Sequence, residues 1–483
     1  MFRFVAVGPL PGETADLPSE PNIGPHAFSA HVASLCVCYE RVRKSGVIDP
    51  ARLEIMPIMA STRSGPALAA LAIGTFAIGM TEFVITGLLP EIAADLRVSI
   101  PRAGLLISGY ALSVVFGGPV VTGLVARQAR KPVLIALLAF FVAGNAISAM
   151  AGGYGVMLGG RVVAALCHGS FIGFATIVAG DLVAPNRRSS AIAAMLSGLT
   201  LANVAGVPLG TLLGQQWGWR ATFWAMASLG LLAALATAAL VPASAGLMPA
   251  SPGPGPTAPV AAWTKSGRGP VTARNKGGRR PTAGPPVRAQ LAAFGTARVW
   301  LALLMTALAF GAVYAPFTYV APLMTDVAGF SAGALPWLLA FFGLGLVVGN
   351  VLGARAADRW LMPTIVAASV AMLVVLVAFS WTAHFHWPAA ITLFVLGVAA
   401  YATVPGLTTR VVTSADGEAQ NLLASSAAVS AFNLGNAAGA YLGGLAIEAG
   451  WGYASTTLVG AAMEAGALAI AVTSMLAVRK IAV

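Results

Sequence analysis

Residues 66–90 read PALAALAIGTFAIGMTEFVITGLLP, a stretch long enough to cross a bilayer that carries one carboxylate, Glu82, inside it. A span needs about 20 apolar residues at ~1.5 Å each, and a charge at its centre costs about 2.5–3.5 kcal/mol on insertion scales. Counted back from Pro90 as the outer end, Glu82 lies roughly 12 Å below the surface. Two arrangements relieve the cost: the acid binds a proton, or it faces a cation or a wet cavity within a bundle. A group poised between the two can carry a proton. The structural alternative is a permanently protonated Glu that only packs helices.

The rest of the chain repeats the span. Hydrophobic residues make up 58% of it and charged residues 9%, so the class is polytopic membrane protein. Apolar runs fall near 66–90, 103–126, 132–151, 154–180, 190–213, 221–242, 299–322, 334–356, 362–382, 387–408, 422–446 and 453–478, which predicts twelve transmembrane helices. The many Gly and Ala suit close helix packing in lipid. Residues 243–298 are rich in Pro, Gly and Lys/Arg (SPGPGPTAP, KSGRGPVTARNKGGRR) and read as a flexible basic cytoplasmic linker between a bundle at 66–242 and one at 299–480. Residues 1–58 are out of character. They read either as a disordered cytoplasmic tail or as an overcalled start, with Met56 or Met59 first.

A net charge of +12 suggests nucleic acid in a soluble protein, but its distribution here follows the positive-inside rule. With loops alternating sides, nineteen of the 28 Lys and Arg fall inside, and Arg97, Arg102, Arg161 and Arg220 fall outside or in the outer half of a span. Both termini are then cytoplasmic, lipid is the partner, and nucleic acid is not. Cys36, Cys38 and Cys167 give no disulfide framework and no usual zinc spacing.

The fourth run, YGVMLGGRVVAALCHGSFIGFATIVAG, supplies a cation. Arg161 lies roughly 9 Å below the outer surface, in the layer of Glu82, and the spacing predicts that the two meet. His168, seven residues on, shares that helical face. Arg161 snorkelling to headgroups, and His168 as a packing residue, are the alternatives. In the fifth run, Gly206, Gly210 and Gly214 form one smooth stripe, Asn203 precedes it and Pro208 bends it. A shift of 233 positions lays Asn203 on Asn436, Gly206 on Gly439 and Gly210 on Gly443, which indicates a duplicated, pseudo-symmetric bundle. Gly123, Arg127, Arg130 and Lys131 end the second run, where Gly123 is expected to allow tight contact. Gly353, Arg355, Asp358 and Arg359 hold the matching place in the second half. Glu464 is the other carboxylate deep in a span, with no role assigned by spacing.

From about residue 66 onward the chain resembles the major facilitator superfamily, and within it the twelve-span drug:proton antiporters of the arabinose-efflux and chloramphenicol-resistance type. TEFVITGLLPEIAADL resembles the first-span signature, GRVVAALCHGSF the fourth-span Arg motif and LTLANVAGVPLGTLLGQQWGWRATF the fifth-span antiporter motif; FTYVAPLMTDVAGF and GARAADR resemble the seventh-span end and the loop after span eight. The resemblance implies Glu82 and Arg161 as the proton-coupling pair, Gly206, Pro208, Gly210 and Gly214 as the antiporter motif, and the two basic loops as cytoplasmic gates. The usual Asp of the first gate is absent, with Ala126-Arg127 in its region, whereas Asp358 keeps it in the second.

The fold so implied is all-α: twelve transmembrane helices in two six-helix bundles, spans one, four, seven and ten lining a central cavity. The expected function is proton-coupled export of a small molecule across the bacterial cytoplasmic membrane by a monomer, with no cofactor beyond the proton gradient. The substrate is a drug such as chloramphenicol, or a sugar- or nucleoside-like metabolite. Phe83, Tyr110, Phe317 and Tyr319, with Asn433 and Asn436 as polar guides, are the expected cavity residues; bundle packing or an interfacial belt is the competing role for each aromatic. An uptake symporter of the same fold is the alternative, disfavoured by the fifth-span stripe. A membrane enzyme would need a cluster of nucleophile, base or metal ligands, and among the five His only His168 lies in a span. A sensor would need a soluble domain.

Overall fold

The computed structural model describes residues 64–125, 128–184, 187–243, 296–414 and 418–481, and within the last stretch the side chains of 427–475. The amino-terminal segment with Cys36 and Cys38, Arg127, and nearly all of the 243–298 linker lie outside the described residues.

Every regular element among the described residues is helical. The long helices are α1 (Ser64–Gly87), α2 (Ile100–Val125), α3 (Arg130–Ala149), α4 (Tyr154–Asp181), α5 (Arg188–Trp217), α6 (Trp219–Leu240), α7 (Ala297–Thr318), α8 (Leu335–Ala357), α9 (Leu361–Thr382), α10 (His386–Thr413), α11 (Glu418–Glu448) and α12 (Ser455–Ile481). Eleven are long and apolar enough to span a bilayer, and α11, at 31 residues, completes the twelve. Each coincides with one of the twelve apolar runs. Exposed Trp217, Trp337, Trp381, Trp387 and Trp451 gather at the end where α1 turns into α2, and Trp300 and Trp360 at the opposite end, as in membrane-interface belts.

The duplication is visible in the packing. α1 packs on α5 and α6, α2 on α4, and α3 on α4 and α6; six helices later α7 packs on α11 and α12, α8 on α10, and α9 on α10 and α12. Glycines make the same joint in each half. On α5, Cβ atoms at Gly206, Gly210 and Gly214 would run into Phe76, Met80 and Val84 of α1 and Leu88 just beyond its end; on α11, Gly435, Gly439 and Gly443 lie against the backbone of α7 at Ala307, Gly311 and Ala315. Close backbone approach replaces the hydrophobic effect as the glue between helices in lipid.

α5 is not one continuous α-helix. Ala202–Gly206 forms a π-turn directly before Pro208, whose missing N–H withholds a bond from the turn below it. The bend assigned to Pro208 is thus widened into the turn preceding it. There the Asn203 carbonyl rests against Gly343 of α8, so the bulge lies between the bundles. The other large seam joins α2 and α11, where Ser108 Oγ donates to the Ala437 carbonyl at 3.0 Å.

Candidate functional site

Glu82 sits at the junction of the two bundles, with its side chain 14% exposed. Its Oε1 accepts from Asn436 Nδ2 of α11 at 3.1 Å and, at the longer distance of 3.4 Å, from the Tyr314 hydroxyl of α7. Its Oε2 lies 3.8 Å from Nε2 of His168 on α4. One acid on α1 therefore gathers groups from three other helices, two of them in the second half.

The expected contact between Glu82 and Arg161 is not made directly. Arg161 is fully buried, which removes the snorkelling alternative, but its Nη1 donates to the Thr81 carbonyl at 2.7 Å. Its guanidinium lies 4.1 Å from the centre of the Tyr110 ring, a cation–π arrangement. Nε and Nη2 have no hydrogen-bond partner among the described residues. The reason is positional: His168, two turns along the same face of α4, takes the place beside the carboxylate and is held there by a 2.9 Å hydrogen bond between its Nδ1 and the Tyr110 hydroxyl. Arg161 remains one residue away along α1, a buried cation whose field still reaches the acid.

Next to this cluster is a cavity walled by Phe83, Phe310, Val313, Tyr314, Phe317, Phe342, Leu346, Ala400 and Tyr401, from α1, α7, α8 and α10. Of the aromatics named from the sequence, Phe83 and Phe317 line it. Tyr110 does not; it supports His168 and Arg161 instead. Tyr319 is also elsewhere. α7 ends at Thr318, and the Tyr319 ring is buried between Gly104 of α2 and Gly444 of α11, with its hydroxyl donating to the Ala440 carbonyl at 2.8 Å, so it seals the α2–α11 seam. Asn433 bonds back to Val429 of its own helix and does not line the cavity. Asn203 likewise bonds back to Leu199.

Tyr314 and Tyr401 were not singled out from the sequence. A signal for the first existed: Phe310, Val313, Tyr314 and Phe317 stand at i, i+3, i+4 and i+7, one face of α7. Tyr401 carries no comparable pattern. Asp181, at the end of α4, was missed too. It accepts Arg130 at 2.7 Å and faces Arg188 at 3.6 Å, tying together the starts of α3 and α5 beside the place where the first basic loop lacks its Asp. Gly123 makes no tight contact, since a Cβ there would meet nothing within 4 Å, whereas Gly353 lies against the backbone of Ala402 on α10. Lys131, Arg355, Asp358 and Arg359 form no ion pair among the described residues. Glu464 is wholly buried on α12, with the buried Ser369 of α9 as a polar neighbour.

Residues 71–440 match the family model of the Major Facilitator Superfamily. The inner membrane transport protein YdhP of Escherichia coli (strain K12) is 38% identical over 401 residues, covering 83% of this chain and 94% of that protein. A chloramphenicol resistance protein of Streptomyces lividans is 36% identical over 369 residues, covering 76% and 86%. Among solved structures, a bacterial homolog of the human lysosomal transporter Spinster, in an inward-facing and unoccupied conformation, matches with a TM-score of 0.60 at 17% identity, over 85% of this chain and 95% of that one. With two six-helix halves, a seam acid and these relatives, the chain belongs to the major facilitator superfamily of membrane transporters.

Proposed function

We propose that the protein exports a small molecule across a bacterial cytoplasmic membrane in exchange for protons, by alternating access, with both termini on the cytoplasmic side. The observation that carries this reading is Glu82: a carboxylate in a span of the first bundle, hydrogen-bonded to the second and adjacent to an aromatic cavity. A proton reaching Glu82 from outside removes the charge that Asn436, Tyr314, His168 and Arg161 all address, which loosens the junction and favours substrate release. Facing inward, proton loss restores it. The work is binding and release, with no bond made or broken.

The cavity wall is hydrocarbon and aromatic, with Tyr314 and Tyr401 among its side chains, which suits an apolar or aromatic part of a small molecule. The chloramphenicol resistance protein among the relatives supports that class, and it makes chloramphenicol the first probe. Export is supported by the glycine stripe of α5 seated on α1, and the orientation by the excess of Lys and Arg in the loops taken as cytoplasmic.

The test is gradient-driven chloramphenicol accumulation in inverted vesicles. Glu82→Gln fixes a neutral side chain of the same shape, so accumulation against the gradient stops while downhill exchange survives. Full accumulation by Glu82→Gln removes Glu82 from the mechanism and shifts attention to His168 and Glu464.

A further inference from the structure

Tyr110 of α2 touches both α4 side chains that stand near Glu82. Its ring faces the Arg161 guanidinium at 4.1 Å from the ring centre, and its hydroxyl lies 2.9 Å from Nδ1 of His168. Tyr110 is 1% exposed, and the hydroxyl has no other hydrogen-bond partner among the described residues. The second ring nitrogen of His168, Nε2, faces Oε2 of Glu82 at 3.8 Å. Which of the two nitrogens carries the hydrogen follows from counting donors. A phenol has one hydrogen to give, and a buried donor without an acceptor is costly. If Nδ1 carried a hydrogen it would donate to the phenol oxygen, and the hydrogen of Tyr110 would be stranded. The bare Nε2 would then turn a lone pair toward a carboxylate oxygen. An imidazolium strands the same phenol hydrogen. It also adds a second cation to a buried cluster that already holds one acid and one guanidinium. With Nδ1 as the acceptor, all of these conflicts vanish.

We propose that Tyr110 is a positioning residue whose hydroxyl donates to Nδ1 and so fixes His168 as the neutral tautomer with its hydrogen on Nε2. That N–H points at Glu82 as a fixed dipole. His168 therefore helps to hold the ionised acid and carries no proton of its own. The hydrogen bond made by one ring nitrogen sets the state of the other, which is how a residue of α2 acts on an acid of α1 through α4. The role toward Glu82 rests on that acid being the proton carrier of the exchange proposed above; the tautomer does not. The charged and titratable groups facing the imidazole among the described residues are Glu82 from α1, Tyr110 from α2 and Arg161 from α4 itself. With His168 held neutral, the cluster moves one proton per cycle, and it does so on Glu82.

The state of the ring is read by ¹⁵N NMR of the histidine-labelled full chain in lipid at pH 7.5, with the His168 signals identified by their loss in His168→Gln. Nε2 is expected to be protonated, and Nδ1 unprotonated but shifted by an incoming hydrogen bond. Tyr110→Phe keeps the ring against Arg161 and removes only the hydroxyl. In that variant Nδ1 loses its shift, and the form with its hydrogen on Nδ1 grows about fivefold. Glu82→Gln moves the Nε2–H signal and leaves Nδ1 bonded. A hydrogen on Nδ1 in the native chain overturns the tautomer, and hydrogens on both nitrogens would make His168 a second carrier. An Nε2–H signal that ignores Glu82→Gln overturns the role toward the acid. Transport tests the same role in a second way. His168→Gln, whose amide N–H takes the place of Nε2–H, is expected to keep gradient-driven chloramphenicol accumulation within about threefold of native, while His168→Asn, whose amide stops at the Nδ1 position, lowers it about tenfold or more. Equal losses in the two would count against a fixed N–H. If native vesicles accumulate no chloramphenicol, the export reading fails for that probe, and the NMR responses to Tyr110→Phe and Glu82→Gln still decide this one.

Discussion

Arg161 gives its one hydrogen bond to the main-chain carbonyl of Thr81, at 2.7 Å, and not to the carboxylate of the adjacent Glu82. A fully buried guanidinium with two nitrogens unpaired among the described residues is costly, and such an exception calls for an explanation in function. Arg161→Ala removes the cation that offsets Glu82 and is expected to lower gradient-driven transport about tenfold or more. Arg161→Lys keeps a point charge but loses the planar fork and falls between Ala and the native protein. Vesicle uptake rates for the three proteins check this; equal rates for Ala and the native chain would sink the role.

Gly123 and Gly353 hold corresponding places in the sequence and different ones in space. A methyl group at Gly353 meets the backbone of Ala402, which cannot give way as a side-chain tip can, and at Gly123 it meets nothing. Gly353→Ala is expected to destabilise the protein by about 1–3 kcal/mol, while Gly123→Ala stays within about 0.5 kcal/mol of the native chain. Thermal melting of detergent-purified variants gives the comparison.

The short helix Leu89–Asp95 is tied to α6 through Asp95, which accepts from Arg220 and from Trp219 Nε1 at 3.2 Å, and through Arg220 to the α3–α4 turn. Arg220 donates to Asp95 at 2.6 Å and to the Ala151 carbonyl at 2.8 Å. The Arg220 guanidinium hydrogen-bonded to it holds the Asp95 carboxyl below its usual range. A lowered acid contributes stability above its unfolded pKa of about 3.9 and loses it as pH falls through the lower folded value. Both side chains are more than 40% exposed, so the contribution is at most about 1 kcal/mol. Asp95→Asn should therefore melt slightly below the native protein by a constant margin from about pH 5 to pH 8, and the margin should shrink as pH falls below about 4. A margin that grew between pH 8 and pH 5 would contradict the assignment.

The twelve spans were legible because an apolar run of about 20 residues has few other solutions, and the duplication because small residues recur where backbones touch. Glu82 and Arg161 stood out for the same reason: a charge in a span is expensive enough to be conspicuous. Their geometry was not legible. Depth along an axis places two side chains in one layer but says nothing of rotation, so the sequence could not distinguish Arg161 on the carboxylate from Arg161 on Thr81 with His168 in between. Aromatic residues were harder still. Phe83 and Tyr319 are alike in composition, yet one faces the cavity and the other plugs a seam beyond the end of α7, a difference set by where that helix stops.

Glu464 has no cation facing it among the described residues, so its charge has no partner to act on. Glu464→Gln, which keeps the shape, is expected to leave vesicle transport within about twofold of native, and Glu464→Lys to prevent folding by burying a charge against α9. Loss of transport in a well-folded Glu464→Gln protein would show a second coupling acid.

Phe317 offers the cleanest separation of substrate from proton. Its ring stacks on Phe342 at 4.5 Å between centroids and 22° between planes, forms part of the cavity wall, and is not one of the groups hydrogen-bonded or ion-paired with Glu82. Phe317→Ala removes stacking surface worth about 1.5 kcal/mol, a tenfold weaker grip on an aromatic probe, and reaches the donors to Glu82 only through its edge-on contact with the Tyr314 ring. In vesicles with chloramphenicol the half-saturating concentration should rise about tenfold while the maximal gradient-driven rate holds. Tyr401→Phe, on the opposite wall, keeps its ring and loses only a hydroxyl, so its effect on the same probe should be smaller than that of Phe317→Ala. A fall in maximal rate at unchanged half-saturation would place the substrate elsewhere, because a residue that only lines the binding cavity acts before the bundles move and not during it.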